Sequence, residues 1–140
     1  MPKTVVGTEI ASMKVFDSKL ESGAKQAVQA AIAAVYRKST RHQLGTPKEG
    51  GHFIQLTPTA VLDPARRVVV GTCKWEVAVI ENGQRKLFAS LRQTKVALST
   101  VDRINPVKVR QQSVNDAIVG AVEKELAGVL ASLPRKENET

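Results

Sequence analysis

At 140 residues the chain is long enough for one domain with its own core and short for two. Its 42% apolar content argues against a disordered chain, and the absence of any apolar run near ~18 residues excludes a helical membrane span. Only five residues are aromatic, namely Phe16, Tyr36, Phe53, Trp75 and Phe88, so the core has to be built from Val, Ala, Leu and Ile.

The net charge is +8, and it is unevenly spread. Residues 1–50 carry eight basic and four acidic groups, residues 51–100 seven and three, and residues 101–140 six of each. A basic field of this kind favours anionic partners such as nucleic acid, a lipid headgroup surface or an acidic protein, and it also serves solubility. The single cysteine, Cys73, permits no internal disulfide and reads as a small buried hydrophobe. The opening Met1-Pro2-Lys3-Thr4-Val5-Val6 is too short and too soon polar for a signal peptide. The expected location is cytoplasmic as the chain is written, or periplasmic if a leader has been removed.

Residues 4–16 read as a strand with imperfect alternation. Ser18 and Glu21 have the spacing of a capping box, and a helix is expected to about Arg37. Leu20, Ala24, Ala27, Val28, Ala31, Ile32 and Val35 form its apolar stripe. Arg37 and Lys38 suit its C-terminal end. Ser39 to Gly51 reads as a flexible connector; it lacks the Gly-Lys-Ser/Thr ending of a phosphate loop. His52 to Leu62 is the next strand, with Ile54, Leu56, Ala60 and Leu62 on one face. Pro58 has no amide to donate, so it predicts a sheet edge or a break midway. Asp63-Pro64-Ala65-Arg66 has the composition of a type I turn.

The stretch from Arg66 to Leu98 then offers two β-rich runs around Asn82-Gly83, a strong hairpin signal. A two-residue loop would set Trp75 opposite Ser90. A three-residue loop, Glu81-Asn82-Gly83, sets Val77, Trp75 and Cys73 opposite Leu87, Ala89 and Leu91, with the apolar side chains of both strands on one face. Because a one-residue slip reverses every side chain, the second register is expected. Thr100 to Val109, containing Asn105-Pro106, reads as a connector. A last helix is expected from about Arg110 to Leu133, with Val114, Ile118, Ala121, Val122, Leu126, Val129, Leu130 and Leu133 on its stripe. Gly120 and Gly128 within it suggest close packing, and Pro134 ends it.

The order β-α-β-β-β-α predicts an α+β two-layer sandwich, an antiparallel meander covered on one face by two helices. Residues 1–134 would form the single domain and residues 135–140 a mobile charged tail. The uncovered face would be polar at Lys74, Glu76, Ser90 and Arg92 and apolar towards Val68, Val70, Val96 and Leu98. Those four residues, with the Pro58 edge, are the candidate interface.

Motifs for chemistry are missing. His42 and His52 are separated by a glycine-bearing loop, and Cys73 is expected to point inward, so no metal centre is expected. Asp63, Glu76 and Glu81 fall at turns or on the polar face, and Asp116, Glu123 and Glu125 read as solvated helix positions. No carboxylate pair or activated nucleophile is evident, and neither an enzyme nor a cofactor is expected.

The helix-sheet-helix order and basic charge resemble the double-stranded-RNA-binding domain in topology. That family enters its last helix through Gly-x-Ser-Lys-Lys-x-Ala-Lys, where this chain has Lys108-Val109-Arg110-Gln111-Gln112-Ser113-Val114, and its strands are shorter. Nucleic-acid binding through Arg37, Lys38, Arg41, Lys74 and Arg92 is the alternative reading. More locally, Gly71-Thr72-Cys73-Lys74-Trp75-Glu76-Val77-Ala78-Val79, Leu87-Phe88-Ala89-Ser90-Leu91 and Asp116-Ala117-Ile118-Val119-Gly120-Ala121-Val122 resemble elements of small α/β domains of bacterial envelope proteins. Ala89 and Gln93 stand where that pattern has glycine. The resemblance implies an assembly or adaptor module whose partners are further copies of itself or other subunits of a bacterial structure. It transfers no functional residue.

Overall fold

The computed structural model describes residues 3–63, 65, 68–91, 97–100 and 106–133, the stretches 88–91, 97–100 and 106–110 by their backbone. The elements are β1 (Thr4–Ile10), β2 (Lys14–Val15), α1 (Glu21–Lys38), β3 (His42–Leu44), β4 (His52–Asp63), β5 (Val68–Glu81), β6 (Gln84–Leu91), β7 (Ala97–Thr100) and α2 (Pro106–Ser132). They form one sheet in the order β3-β1-β4-β5-β6, with β2 beside β4 and β7 beside β5, and two helices on one face.

The sheet is mixed, which corrects the expected antiparallel meander. β4, β5, β6 and β7 pair antiparallel, but β1 runs parallel to both β3 and β4, and β2 runs parallel to β4. The reason is the crossover: α1 lies between β1 and its neighbours, and a helix of 18 residues carries the chain back to start the next strand in the same direction. The connector expected from Ser39 to Gly51 contains β3 and is tied down elsewhere. Ser39 Oγ accepts from the His42 N–H at 3.1 Å, which turns the chain out of the helix and into that strand.

Pro58 is buried in β4, and β4 is an interior strand, so no edge lies there. Neither consequence expected of this proline is found: β4 runs unbroken from His52 to Asp63 and pairs with β5 throughout. The Leu56 carbonyl accepts from Ala11 N–H and the Ala60 carbonyl from Phe16 N–H, so even-numbered β4 residues turn their backbone groups towards β1 and β2. The Pro58 nitrogen therefore faces the gap between Ile10 and Lys14, where β1 has ended and β2 has not begun.

The hairpin corrects both registers considered. Asn82 and Gly83 have φ of 54° and 73°, a type I′ two-residue turn, and Glu81, Ile80, Val79 and Ala78 pair with Gln84, Arg85, Lys86 and Leu87. One residue further the register shifts, and Val77, Glu76 and Trp75 pair with Ala89, Ser90 and Leu91. The extra residue that was placed in the loop is Phe88, at a bulge inside β6. Odd positions of the two strands thus oppose each other beyond the bulge. Leu87 precedes it, lies opposite Ala78 on the uncovered face and is 66% exposed.

The helix starts also shift. Asp17, not Ser18, is the cap: its carboxylate accepts from Lys19 N–H at 3.1 Å and opens a short 3-10 turn before α1. Pro106, expected in a connector, is the first residue of α2, a position where its missing N–H is harmless. Val6, Val28, Ile54, Leu56, Val69, Trp75, Val77, Ile118, Val122 and Leu126 are fully buried between the layers. The helices sit very close. A Cβ built on Gly71 of β5 would lie 2.4 Å from the Ala117 carbonyl oxygen of α2, so the helix backbone rests on the strand there. Gln111 Nε2 joins the two helices by donating to the Leu20 carbonyl at 3.1 Å. Gly128, by contrast, faces open space and is exposed, so close packing does not account for it.

Candidate interaction surface

The helices cover one face of the sheet. The other face divides into three zones along the strands, and alternation decides which residues reach it. At the centre are Gln55, Thr57, Thr59, Thr72, Lys74 and Glu76. Lys74 and Glu76 form an ion pair of 3.2 Å, and the Thr59 and Thr72 hydroxyls hydrogen-bond across β4 and β5.

Nearer the hairpin tip a polar cluster spans four strands. Glu9 of β1 accepts from Gln55 Nε2 of β4 and from Arg85 Nη1 of β6, both at 2.7 Å. The Arg85 guanidinium lies 3.7 Å over the Phe53 ring, a cation–π contact, and that ring covers Gly7 of β1. Hydrogen bonds from Gln55 and Arg85 hold the Glu9 carboxyl below its usual range. The loop before β4 straps the tip. Glu49 accepts from the Asn82 and Gly83 N–H groups at 2.6 and 3.3 Å, while Gly50 N–H donates to Ile80 C=O and Ile80 N–H to Gly51 C=O.

The far end is apolar. Val61 of β4 pairs with Val70 of β5, and Leu98 of β7 is the register partner of Val70 on its other side. Val61 is 58% exposed, and Val68 and Val70 are half-buried. Val61 joins the expected patch; its exposure follows from its odd position in a strand whose even residues face the core. Val96 lies outside the described residues, and Pro58 is buried on the other side of the sheet's centre.

The basic candidates do not share one surface. Arg37, Lys38 and Arg41 are exposed around the end of α1, and Lys74 stands on the uncovered face, paired with Glu76. Arg92 lies outside the described residues. Among the described residues no three His, Cys, Asp or Glu side chains come together as a metal site would need, and no helix is long and apolar enough to cross a membrane.

Glu125 was read as solvated and is instead 1% exposed. Its carboxylate accepts the indole N–H of Trp75 under α2. Glu125 sits four residues from Ala121 and seven from Ile118, squarely on the apolar stripe, and that spacing is the signal that could have placed it inside. Burial, with Glu125 nearby, pushes the Cys73 thiol far above its ordinary range, so it is inert rather than nucleophilic.

No protein-family model and no curated protein match the sequence. Solved structures do match. A hypothetical protein of Chlamydia trachomatis superposes with a TM-score of 0.60 at 8% identity, over 94% of this chain and 100% of that one. A lipoprotein candidate from Caulobacter crescentus gives 0.48 at 14%, over 93% of each chain. A minor lipoprotein of Acinetobacter baumannii gives 0.41 at 9%, over 91% of this chain and 94% of that one. The first of these shows a shared fold: an α+β domain in which two helices back a mixed sheet, found in a bacterial protein.

Proposed function

We propose that this protein is a non-enzymatic interaction module that self-associates as part of a larger bacterial assembly. The observation that carries the reading is the valine zone of the uncovered face, where Val61, Val68 and Val70 stand on adjacent strands with no helix over them among the described residues. A contiguous apolar zone on an otherwise polar sheet face gains by burial against another surface. A second copy supplies a self-complementary one, as a two-fold interface requires. The rest of the face is polar and internally paired, Lys74 with Glu76 and Arg85 with Glu9, which sets the valine zone apart as its apolar part.

The test is molar mass by light scattering across a concentration series. A mass rising to a dimer or more, returned to the monomer by Val61→Lys with Val70→Lys, supports the reading. A monomer at every concentration refutes self-association.

A further inference from the structure

A different corner of the molecule combines a depression, a sheet edge and basic side chains. At the end of α1 a shallow depression of about 340 Å³ is lined by Lys3, Ala33, Tyr36, Arg37, Gln43 and Leu44. Its apolar floor includes Leu44, which is 45% exposed. Its rim is uniformly positive. From Ser22 to Lys48 the chain has no Asp or Glu; Glu21 stands at the opposite, N-terminal end of α1, Glu9 is engaged with Arg85, and Glu49 with the hairpin tip. Arg41 adjoins Lys3 across the sheet, since its carbonyl accepts the Thr4 N–H at 2.8 Å. Lys3, Arg37, Lys38 and Arg41 pair with no carboxylate among the described residues.

The corner is also a sheet edge, because β3 ends the strand order. Arg41 C=O and Gly45 N–H face β1, so alternation turns the Leu44 N–H and C=O outward. An exposed edge beside an apolar depression fits an extended chain, with main-chain bonds to the strand and a side chain in the hollow. Tyr36 cannot stack a nucleobase: it is buried, and its hydroxyl is bonded to Thr8 Oγ1 at 2.5 Å.

We propose that the β3 edge binds an extended acidic peptide segment, whose main chain pairs with Leu44, whose apolar side chain enters the depression, and whose carboxylates meet Lys3, Arg37 and Arg41. This surface lies away from the valine zone, and its test is separate from the mass measurement.

The probe is a fluorescein-labelled Glu-Val-Glu-Val-Glu peptide titrated by anisotropy. Saturable binding that weakens with salt is expected. It should fall at least roughly tenfold in Lys3→Glu with Arg37→Glu. Lys25→Glu, a charge reversal on an exposed part of α1, should leave it unaltered. Hydrogen exchange at residues 42–45 should slow when the peptide is bound. Unchanged exchange there, equal weakening by Lys25→Glu, equal binding of Glu-Gly-Glu-Gly-Glu, or tighter binding of a thymidine pentanucleotide would each overturn the proposal.

Discussion

Gly71→Ala tests the seam between the layers most directly. The added methyl would stand 2.4 Å from the Ala117 carbonyl oxygen and 2.6 Å from its carbon. Both atoms are helix backbone, so no side-chain rotation relieves the contact. Restoring 3.4 Å of ordinary separation needs α2 to withdraw by about 1 Å. Contacts of Ile118, Val122 and Leu126 with the sheet would stretch with it, and a gap of ~0.5–1 Å forfeits roughly a quarter to a half of each pair attraction. Overpacking of this kind costs about 1–3 kcal/mol, while alanine's smaller unfolded-state entropy returns ~0.4–1. The net expectation is a loss of about 1.3 kcal/mol. In urea, with a slope of ~2 kcal/mol per molar, the midpoint should fall by about 0.6 M. Gly128→Ala is the internal contrast. Its methyl would meet nothing within 4 Å, and alanine's helix preference should raise stability by roughly 0.5–1 kcal/mol. A Gly71→Ala midpoint equal to the parent's would refute the seam.

Glu125→Ala should cost about 1–3 kcal/mol, because the Trp75 indole N–H is left buried without an acceptor, whereas Glu125→Gln should retain most of the stability; urea melts followed by Trp75 fluorescence separate the two. Burial pushes the Tyr36 hydroxyl up to about 12, so the absorbance titration of this lone tyrosine should have its midpoint there, and the stability it lends below pH 10 should be lost as pH rises from about 10 through 12. A midpoint near 10 would show the hydroxyl open to water. Glu9 titrates the other way: its lowered carboxyl stabilises above the unfolded carboxylate range and the contribution disappears as pH falls through its folded value, a dependence that Glu9→Gln should remove from acid melts. Cys73 should resist a disulfide reagent in the native protein and react once urea unfolds it; native labelling within minutes would contradict its burial.

The two helices were legible because each carries a long apolar stripe, and the parity of Trp75 and Val77 with Ala89 and Leu91 was legible because one face had to be apolar. The position of the extra residue was not. A residue in the loop and a bulge at Phe88 give the same parity, and pattern alone cannot separate them. β3 escaped because three residues, His42, Gln43 and Leu44, are too few to show alternation, and their pairing with Thr4–Val6 is a contact between distant parts of the chain. The parallel pairing escaped for the same reason. The valine zone was foreseen at Val68 and Val70, since strand period and hydropathy agree there. Val61 was passed over because Leu62 beside it drew the face assignment. Glu125 is hidden because a carboxylate suits solvent, and only its spacing from Ile118 and Ala121 points inward.

The parallel seat of β1 has a consequence for how the chain acquires its shape. β4, β5 and β6 are successive hairpin partners and can zip together through short-range contacts. β1 cannot: Gly7 meets Phe53, and Thr8 meets Ile54, only after α1 and the strapped loop have been traversed. Closing so large a loop before any pairing rewards it is slow. Although β1 precedes the other described strands in the chain, it is therefore expected to be among the last to dock. Until then the side of β4 that awaits it lies open as an unpaired edge, bearing Ile54 and Leu56, and any other extended chain can contend for the place.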